Sequence, residues 1–351
     1  MDMTTMRSRA LWRAARAFAV AFGVLAAAPV AHANDTTAAL AAGGLVYVIN
    51  ESVAMQSEDL SISEDAVRVH YVFKNTTDAD VKLLVAFPMP DVTIAPETNI
   101  SIPVRDADNF LAFETKVDGA PVETAMEQRV FALGIDRTAL LRARGVPLAP
   151  FREETQAALD KLPPAAWDEF IGMGLAFVDE YDAGKGMERH LSPLWTLKTT
   201  YYWTQAFPAG KEVVVDHAYR PSVGLSAGTL IGLDLHDNPW ALEAQRAEMD
   251  LFCVEPSLLA SLQRAAKQAD PPSGPPFSDA RIEYVLKTGA NWNGPIGSFT
   301  LTVDKGAPEN LVSFCGDGVK KIAPTRFQMK ATDFYPARDL GVLILKPYPK
   351  P

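Results

Sequence analysis

From Val67 to Phe73 the chain alternates, with Val67, Val69, Tyr71 and Phe73 on one side and Arg68, His70 and Val72 on the other. A period of two is that of a strand with one buried face. Leu45 to Ile49 is β-branched and aromatic, and Val53 to Ile62 reads as a strand with acidic punctuation. Val81 to Phe87 is an apolar strand stopped by Pro88 and Pro90, and Phe110 to Val117 predicts another. Asn75-Thr76-Thr77-Asp78 and Asp118-Gly119 supply turn chemistry between these runs.

Near Glu123 the period changes. Met126 to Arg144, Phe151 to Asp160 and Ala165 to Tyr181 carry apolar residues at helical spacing, interrupted by Leu162-Pro163-Pro164 and ended by Ala183-Gly184-Lys185-Gly186. Strand signals return at Leu194 to Ala206 and Lys211 to Tyr219. Pro221 to Asn238 reads as loop with short strands, and Pro256 to Gln268 as a helix. Asp270 to Pro276 has linker composition. After it come strands at 280–287, 296–304, 310–314, 325–332 and 340–345. The pattern predicts a mainly β protein, α+β overall. Its β-sandwich body spans 34–269 with a helical insertion at 124–190, and a smaller C-terminal β unit spans 270–351.

The start of the chain carries an address. Arg7, Arg9, Arg13 and Arg16 precede an unbroken run of small and apolar residues, Ala17 to Ala28. Pro29 ends that run, and Ala31-His32-Ala33 presents small residues at the two positions a signal peptidase reads. This is the three-part layout of a signal peptide over residues 1–33. The apolar run is too short for a spanning helix, which needs about 20 residues. The sequence therefore predicts cleavage near Ala33/Asn34, a periplasmic or secreted protein, and no integral membrane span in the mature form.

The segment up to Ala33 carries four Arg and one Asp, so its removal takes the net charge from −10 to −13. Such acidity argues against nucleic acid and anionic lipid, both of which are bound by clustered Lys and Arg. Only two cysteines exist, Cys253 and Cys315. An isolated pair in an oxidising compartment forms a disulfide, with two free thiols as the alternative. Closing a loop of this length stabilises a fold by about 4 kcal/mol in the chain-entropy model.

Candidate chemistry is sparse. Gly224-Leu225-Ser226-Ala227-Gly228 matches G-x-S-x-G. A nucleophile elbow, however, needs a following helix and then Asp and His in order. His236 lies between Asp234 and Asp237, and His217 shares the parity of Val213 and Val215. No histidine or cysteine has metal-ligand spacing, and no phosphate loop is present, so neither a metal nor a cofactor is expected. The densest aromatic patch is Trp195, Tyr201, Tyr202 and Trp203. Such rings serve as binding hot spots or as core, and adjacent strand residues point to opposite faces. Trp195, Tyr202 and Trp203 are the binding candidates.

Several strings together resemble one family. They include Leu84-Val85-Ala86-Phe87-Pro88-Met89-Pro90-Asp91, Thr200-Tyr201-Tyr202-Trp203 and Tyr219-Arg220-Pro221-Ser222-Val223-Gly224. Asn34-Asp35 followed by Gly43-Gly44-Leu45, Ser57-Glu58-Asp59-Leu60, Phe207-Pro208-Ala209-Gly210, Asn291-Trp292 with Gly294-Pro295-Ile296, and Phe314-Cys315-Gly316-Asp317-Gly318 complete the set. In order and spread they resemble domain-of-unknown-function family 4424, a group of exported bacterial proteins. The resemblance implies a periplasmic, mostly β protein and supplies no catalytic residues. Residues 67–135, with Phe87-Pro88-Met89-Pro90 and Val117-Asp118-Gly119, more loosely resemble the VIT domain of inter-α-trypsin inhibitor heavy chains. That likeness implies an interaction scaffold. The expectation is an exported, non-catalytic binding or envelope-interaction protein whose partner is an envelope protein or glycan. The alternative is an envelope hydrolase using Ser226 or the Asp234/His236/Asp237 loop.

Overall fold

A computed structural model describes residues 34–348 except 42–43, 97, 183, 185 and 270–273. The leader and the centre of the Pro-rich linker lie outside the described residues. The fold is mainly β: three large sheets and a small hairpin carry five α-helices among the described residues.

The central sheet has eight strands. In spatial order they are Lys320–Lys321, Arg326–Phe334, Ile296–Asp304, Val53–Ile62, Val67–Asn75, Glu212–Tyr219, Glu114–Val117 and Ala120–Val122. All pairs are antiparallel except Ile296–Asp304 with Val53–Ile62, which run parallel. A seven-stranded sheet is built around Thr196–Phe207 and Val81–Pro88, with Thr36–Ala41 and Gly44–Val48 at one side and Ala125–Ala132 and Ile135–Asp136 at the other. A five-stranded sheet runs Leu311–Phe314, Leu340–Pro347, Phe277–Tyr284, Val223–Ser226, Ile100–Ser101.

The inner face of the eight-stranded sheet packs on both of the others. His217 lies 4.7 Å from Phe87 and 5.4 Å from Trp203 of the seven-stranded sheet, ring centre to ring centre. The Tyr71 hydroxyl meets that of Tyr284, in the five-stranded sheet, at 3.0 Å. One hydrophobic core runs through all three sheets. The sandwich expected for the body is thus present, with a smaller apolar cluster of Ile231, Phe252, Val254, Leu262, Leu343 and Leu345 beside it.

The C-terminal strands are divided between two sheets, which they share with earlier strands. Ile296–Asp304 sits inside the eight-stranded sheet, and Phe277–Tyr284 and Leu340–Pro347 build the centre of the five-stranded one. A parallel pairing between residues some 240 positions apart leaves no local trace in composition. The disulfide expected between Cys253 and Cys315 is present. It fastens the end of helix Pro239–Leu251 to the residue after strand Leu311–Phe314. Cys253 holds φ at +49° just past that helix, and Val254 N–H bonds back to the Met249 carbonyl at 2.9 Å. The Arg338 guanidinium adds a bond to the Asp250 carbonyl at 2.8 Å, a cation at a helix C-terminus.

The helical insertion is shorter than the pattern predicted. Helices occupy Thr138–Ala143, Glu153–Asp160 and Pro164–Gly172. Ala125–Ala132 is a strand because it pairs with Thr196–Phe207 over seven residues, so sheet hydrogen bonds override helical propensity. The third helix ends at Gly174, φ +68°, where Leu175 N–H bonds to the Phe170 carbonyl at 2.9 Å. Beyond it Ala176–Asp182 and Met187–Pro193 form a hairpin instead of more helix. Helix Pro239–Leu251 was not anticipated. Its start signal is Asn238, whose side chain accepts from Ala241 N–H at 3.1 Å, followed by Pro239.

One irregularity decides which residues face the core. Register between Val53–Ile62 and Val67–Asn75 shifts after Met55, so Gln56 is an extra residue, a β-bulge. Val53 and Met55 point inward before it, and Glu58, Leu60 and Ile62 after it. Its carbonyl crowds the parallel neighbour: a Cβ on Gly297 would lie 2.7 Å from Gln56 O. Gly297→Ala should therefore lower stability by about 1–3 kcal/mol, the usual cost of overpacking, in urea unfolding. The Cys253→Ser, Cys315→Ser double variant should lose up to about 4 kcal/mol by the same measurement, since 62 residues separate the pair.

Candidate functional site

Alternation that buries one face of the eight-stranded sheet sends the other to solvent, and there the bulge places Asp59 and Ser61. Their strand neighbours complete two rows. Asp59 opposes His70, His70 opposes Asp216, and Asp216 opposes Lys116. In the next row Ser61 opposes Arg68, Arg68 opposes Ala218, and Ala218 opposes Glu114. Long side chains stand around the small Ala218, and a groove of about 480 Å³ opens over it. That volume falls in the range of small-molecule sites. A cleft of about 400 Å³ at Arg144, Glu154 and Lys161 lies on the short helices instead.

The groove's charges are of both signs and only partly satisfied. His70 Nδ1 meets Asp216 Oδ1 at 2.8 Å. Arg68, Glu114 and Lys116 make no ion pair among the described residues. Arg68 and Glu114 sit on strands two spacings apart, about 9.5 Å, with Ala218 between them. The arrangement offers an anion site and a cation site facing one another across a small floor.

Directly beneath, on the inner face, lies a buried polar cluster. His217 Nε2 meets Asp35 Oδ1 at 3.0 Å and its Nδ1 meets Thr115 Oγ1 at 3.1 Å. Asn34 donates from Nδ2 to Glu58 Oε2 at 2.9 Å, and Trp292 Nε1 donates to the Asp35 carbonyl at 2.6 Å. Burial pushes the Glu58 carboxyl up to about 8, and it raises Asp35 too, against the opposing pull of His217. The parity of His217 was legible in the sequence; the inward turn of Glu58, set by the bulge, was not.

The residues singled out from the sequence scatter. Trp195 is buried and donates from Nε1 to the Leu148 carbonyl at 2.9 Å, which ties the helical segment to the sheet. Trp203 is buried against His217. Tyr202, on the other face of the strand, is half-buried against Ala38, Leu45 and Ala86. The three rings therefore do not form one exposed aromatic surface, because strand alternation splits them and two fill cores. Ser226 ends strand Val223–Ser226, and its hydroxyl donates to the Gly228 carbonyl at 2.7 Å. No helix follows until Pro239, so the elbow context is missing. His236 stands on an exposed loop, 2.8 Å from Asp234 and 3.2 Å from Asp237. The other described histidines are engaged elsewhere, His70 with Asp216, His190 with Asp160 and His217 with Asp35. Among the described residues no group of His, Cys, Asp and Glu is arranged to hold a metal, and no helix is long and apolar enough to cross a membrane.

Comparison with known proteins adds a family. A family model described as Domain of unknown function (DUF4424) matches residues 33–343. No curated protein matches the chain. Among solved structures, a protein described as a candidate nutrient-binding protein from Legionella pneumophila is similar at 15% identity, with a TM-score of 0.42. The match covers 89% of this chain and 70% of that one, a likeness too distant to carry an argument.

Two contrasts follow from these placements. Trp203→Ala should cost about 3–5 kcal/mol of stability in denaturant unfolding, as for any large aromatic removed from a core. Ser226→Ala should change stability by less than about 0.5 kcal/mol. A fluorophosphonate probe should leave the wild type unlabelled; labelling that vanishes in Ser226→Ala would restore the hydrolase reading.

Proposed function

This chain belongs to the DUF4424 family, and from that premise we propose that it is an exported, non-catalytic binding scaffold. Its ligand is small and zwitterionic, on the scale of an amino acid or short peptide, and it sits over Ala218. The observation that carries this reading is the pair of adjacent rows on one sheet face, where Arg68 and Lys116, without an ion pair among the described residues, share the groove with Asp59, Asp216 and Glu114. A carboxylate suits the guanidinium, and an ammonium suits the carboxylates. Binding sites built on strands hold their geometry better than sites on loops.

Export is supported by the basic, apolar and small-residue order of residues 7–33 and by the disulfide, which belongs to an oxidising compartment. The acidic mature chain disfavours nucleic acid as partner.

A thermal-shift panel of amino acids, dipeptides, polyamines, dicarboxylates and neutral oligosaccharides tests the reading. Zwitterions should raise Tm, since a ligand that binds only the folded state stabilises it. Ala218→Trp, which fills the groove, and the Arg68→Ala, Lys116→Ala double variant should keep their own folding transition and lose that rise. A wild-type Tm that no zwitterion moves, or a rise that survives Ala218→Trp, would refute it.

A further inference from the structure

Asn34, the residue after the predicted cleavage point, lies inside the protein. Asn34, Asp35 and Thr36 are fully buried, and Thr37 nearly so, whereas chain ends ordinarily lie at the surface. The Asn34 backbone nitrogen donates to Thr288 Oγ1 at 2.6 Å, and the same hydroxyl donates back to the Asn34 carbonyl at 2.7 Å. Asn34 Oδ1 accepts from the Tyr71 hydroxyl at 2.5 Å, while Nδ2 reaches Glu58. Tyr284 closes the far side, its hydroxyl bonded to Tyr71 and 3.4 Å from Glu58 Oε1. The nitrogen's hydrogen-bond partner is Thr288, while the Asn34 side chain joins a cluster of Glu58, Tyr71 and Tyr284, and the next residue, Asp35, meets His217.

We infer that the α-amino group of Asn34, released by cleavage after Ala33, is a structural cation of the core, held by Thr288 and offsetting the Glu58 and Asp35 carboxylates. The inference rests on the export reading above. Three observations carry it. Asn34 is completely buried, and its nitrogen already bonds to a buried side chain, Thr288. An amide nitrogen has one proton to donate and an ammonium three, and the cluster holds a buried acceptor with no donor, Asp35 Oδ2. Buried carboxylates are tolerated where a cation and hydrogen bonds compensate them. The cleavage motif Ala31-His32-Ala33 ends at this nitrogen. Leader removal then does more than release the chain: it completes the charge balance of the core, so the processed and unprocessed chains differ in stability.

The test uses the protein purified from the periplasm and a second chain that retains Ala33, released from a cleavable fusion. Intact mass should show the exported chain beginning at Asn34. Its α-amino group should react with 2-pyridinecarboxaldehyde at least 100-fold more slowly in the native protein than in urea. The Ala33-bearing chain should have an unfolding equilibrium constant at least tenfold higher. With that chain's nitrogen an amide, Glu58 takes up a proton on folding, so its stability should fall as pH rises from about 4.5 to about 8. The Asn34 chain should lack this fall. Glu58→Gln should destabilise the Asn34 chain at pH 8 and leave the Ala33 chain unchanged or more stable, a coupling measurable as a double-variant cycle. A chain that stays uncut and is not recovered from the periplasm would overturn export and this inference together, and an exported chain cut elsewhere would overturn this inference alone. A chain beginning at Asn34 whose native amine labels rapidly, or whose stability matches that of the Ala33 chain, would overturn this inference alone.

Discussion

The polar knot around Asn34, Asp35, Glu58 and His217 is the constraint on which the rest of the fold depends. It draws its members from all three sheets: Asp35 from the entry to the seven-stranded sheet, Glu58, Tyr71 and His217 from the eight-stranded one, Tyr284 from the five-stranded one. Thr288 and Trp292, on the turn that leads into Ile296–Asp304, close it. Apolar packing is non-directional and would accept several ways of stacking these sheets. Buried polar groups must find partners at set distances and angles, so the knot selects one stacking. Phe87, Phe113 and Trp203 pack around the His217 ring and bury it.

A single extra residue serves both faces of the central sheet. Because Gln56 bulges, Glu58 turns in to join the knot and Asp59 and Ser61 turn out to line the groove. The interior and the candidate binding surface are therefore two sides of one register. The helices are tethered to the sheets: the helical segment is pinned by Trp195 to Leu148, and the disulfide anchors the helix that packs beside the five-stranded sheet.

Much of the secondary structure was legible locally. Val67–Asn75 and Ile296–Asp304 announced themselves by alternation, and the opposed faces of Tyr202 and Trp203, like the inward parity of His217, followed from the period of two. Helix Pro256–Gln268 followed from its spacing and the cysteine pair from its isolation. The groove was not legible, because its rows draw on four strands between residues 59 and 218 and its depth comes from one small residue, Ala218. Ala125–Ala132 misled because its composition suits a helix while its partner strand dictates otherwise.

By itself, then, the sequence determined an export leader pattern, a mainly β chain of strands with known faces, and a cysteine pair for an oxidising milieu. Only the tertiary structure decided that the C-terminal strands thread the central sheet, that Glu58 points inward, and that Asn34 is buried. The reason is one of range. Alternation, capping and turn chemistry are set by neighbours within a few residues, whereas strand pairing, bulges and buried charge balance are set by groups that meet only after the chain has brought positions such as 34, 58, 217 and 288 together.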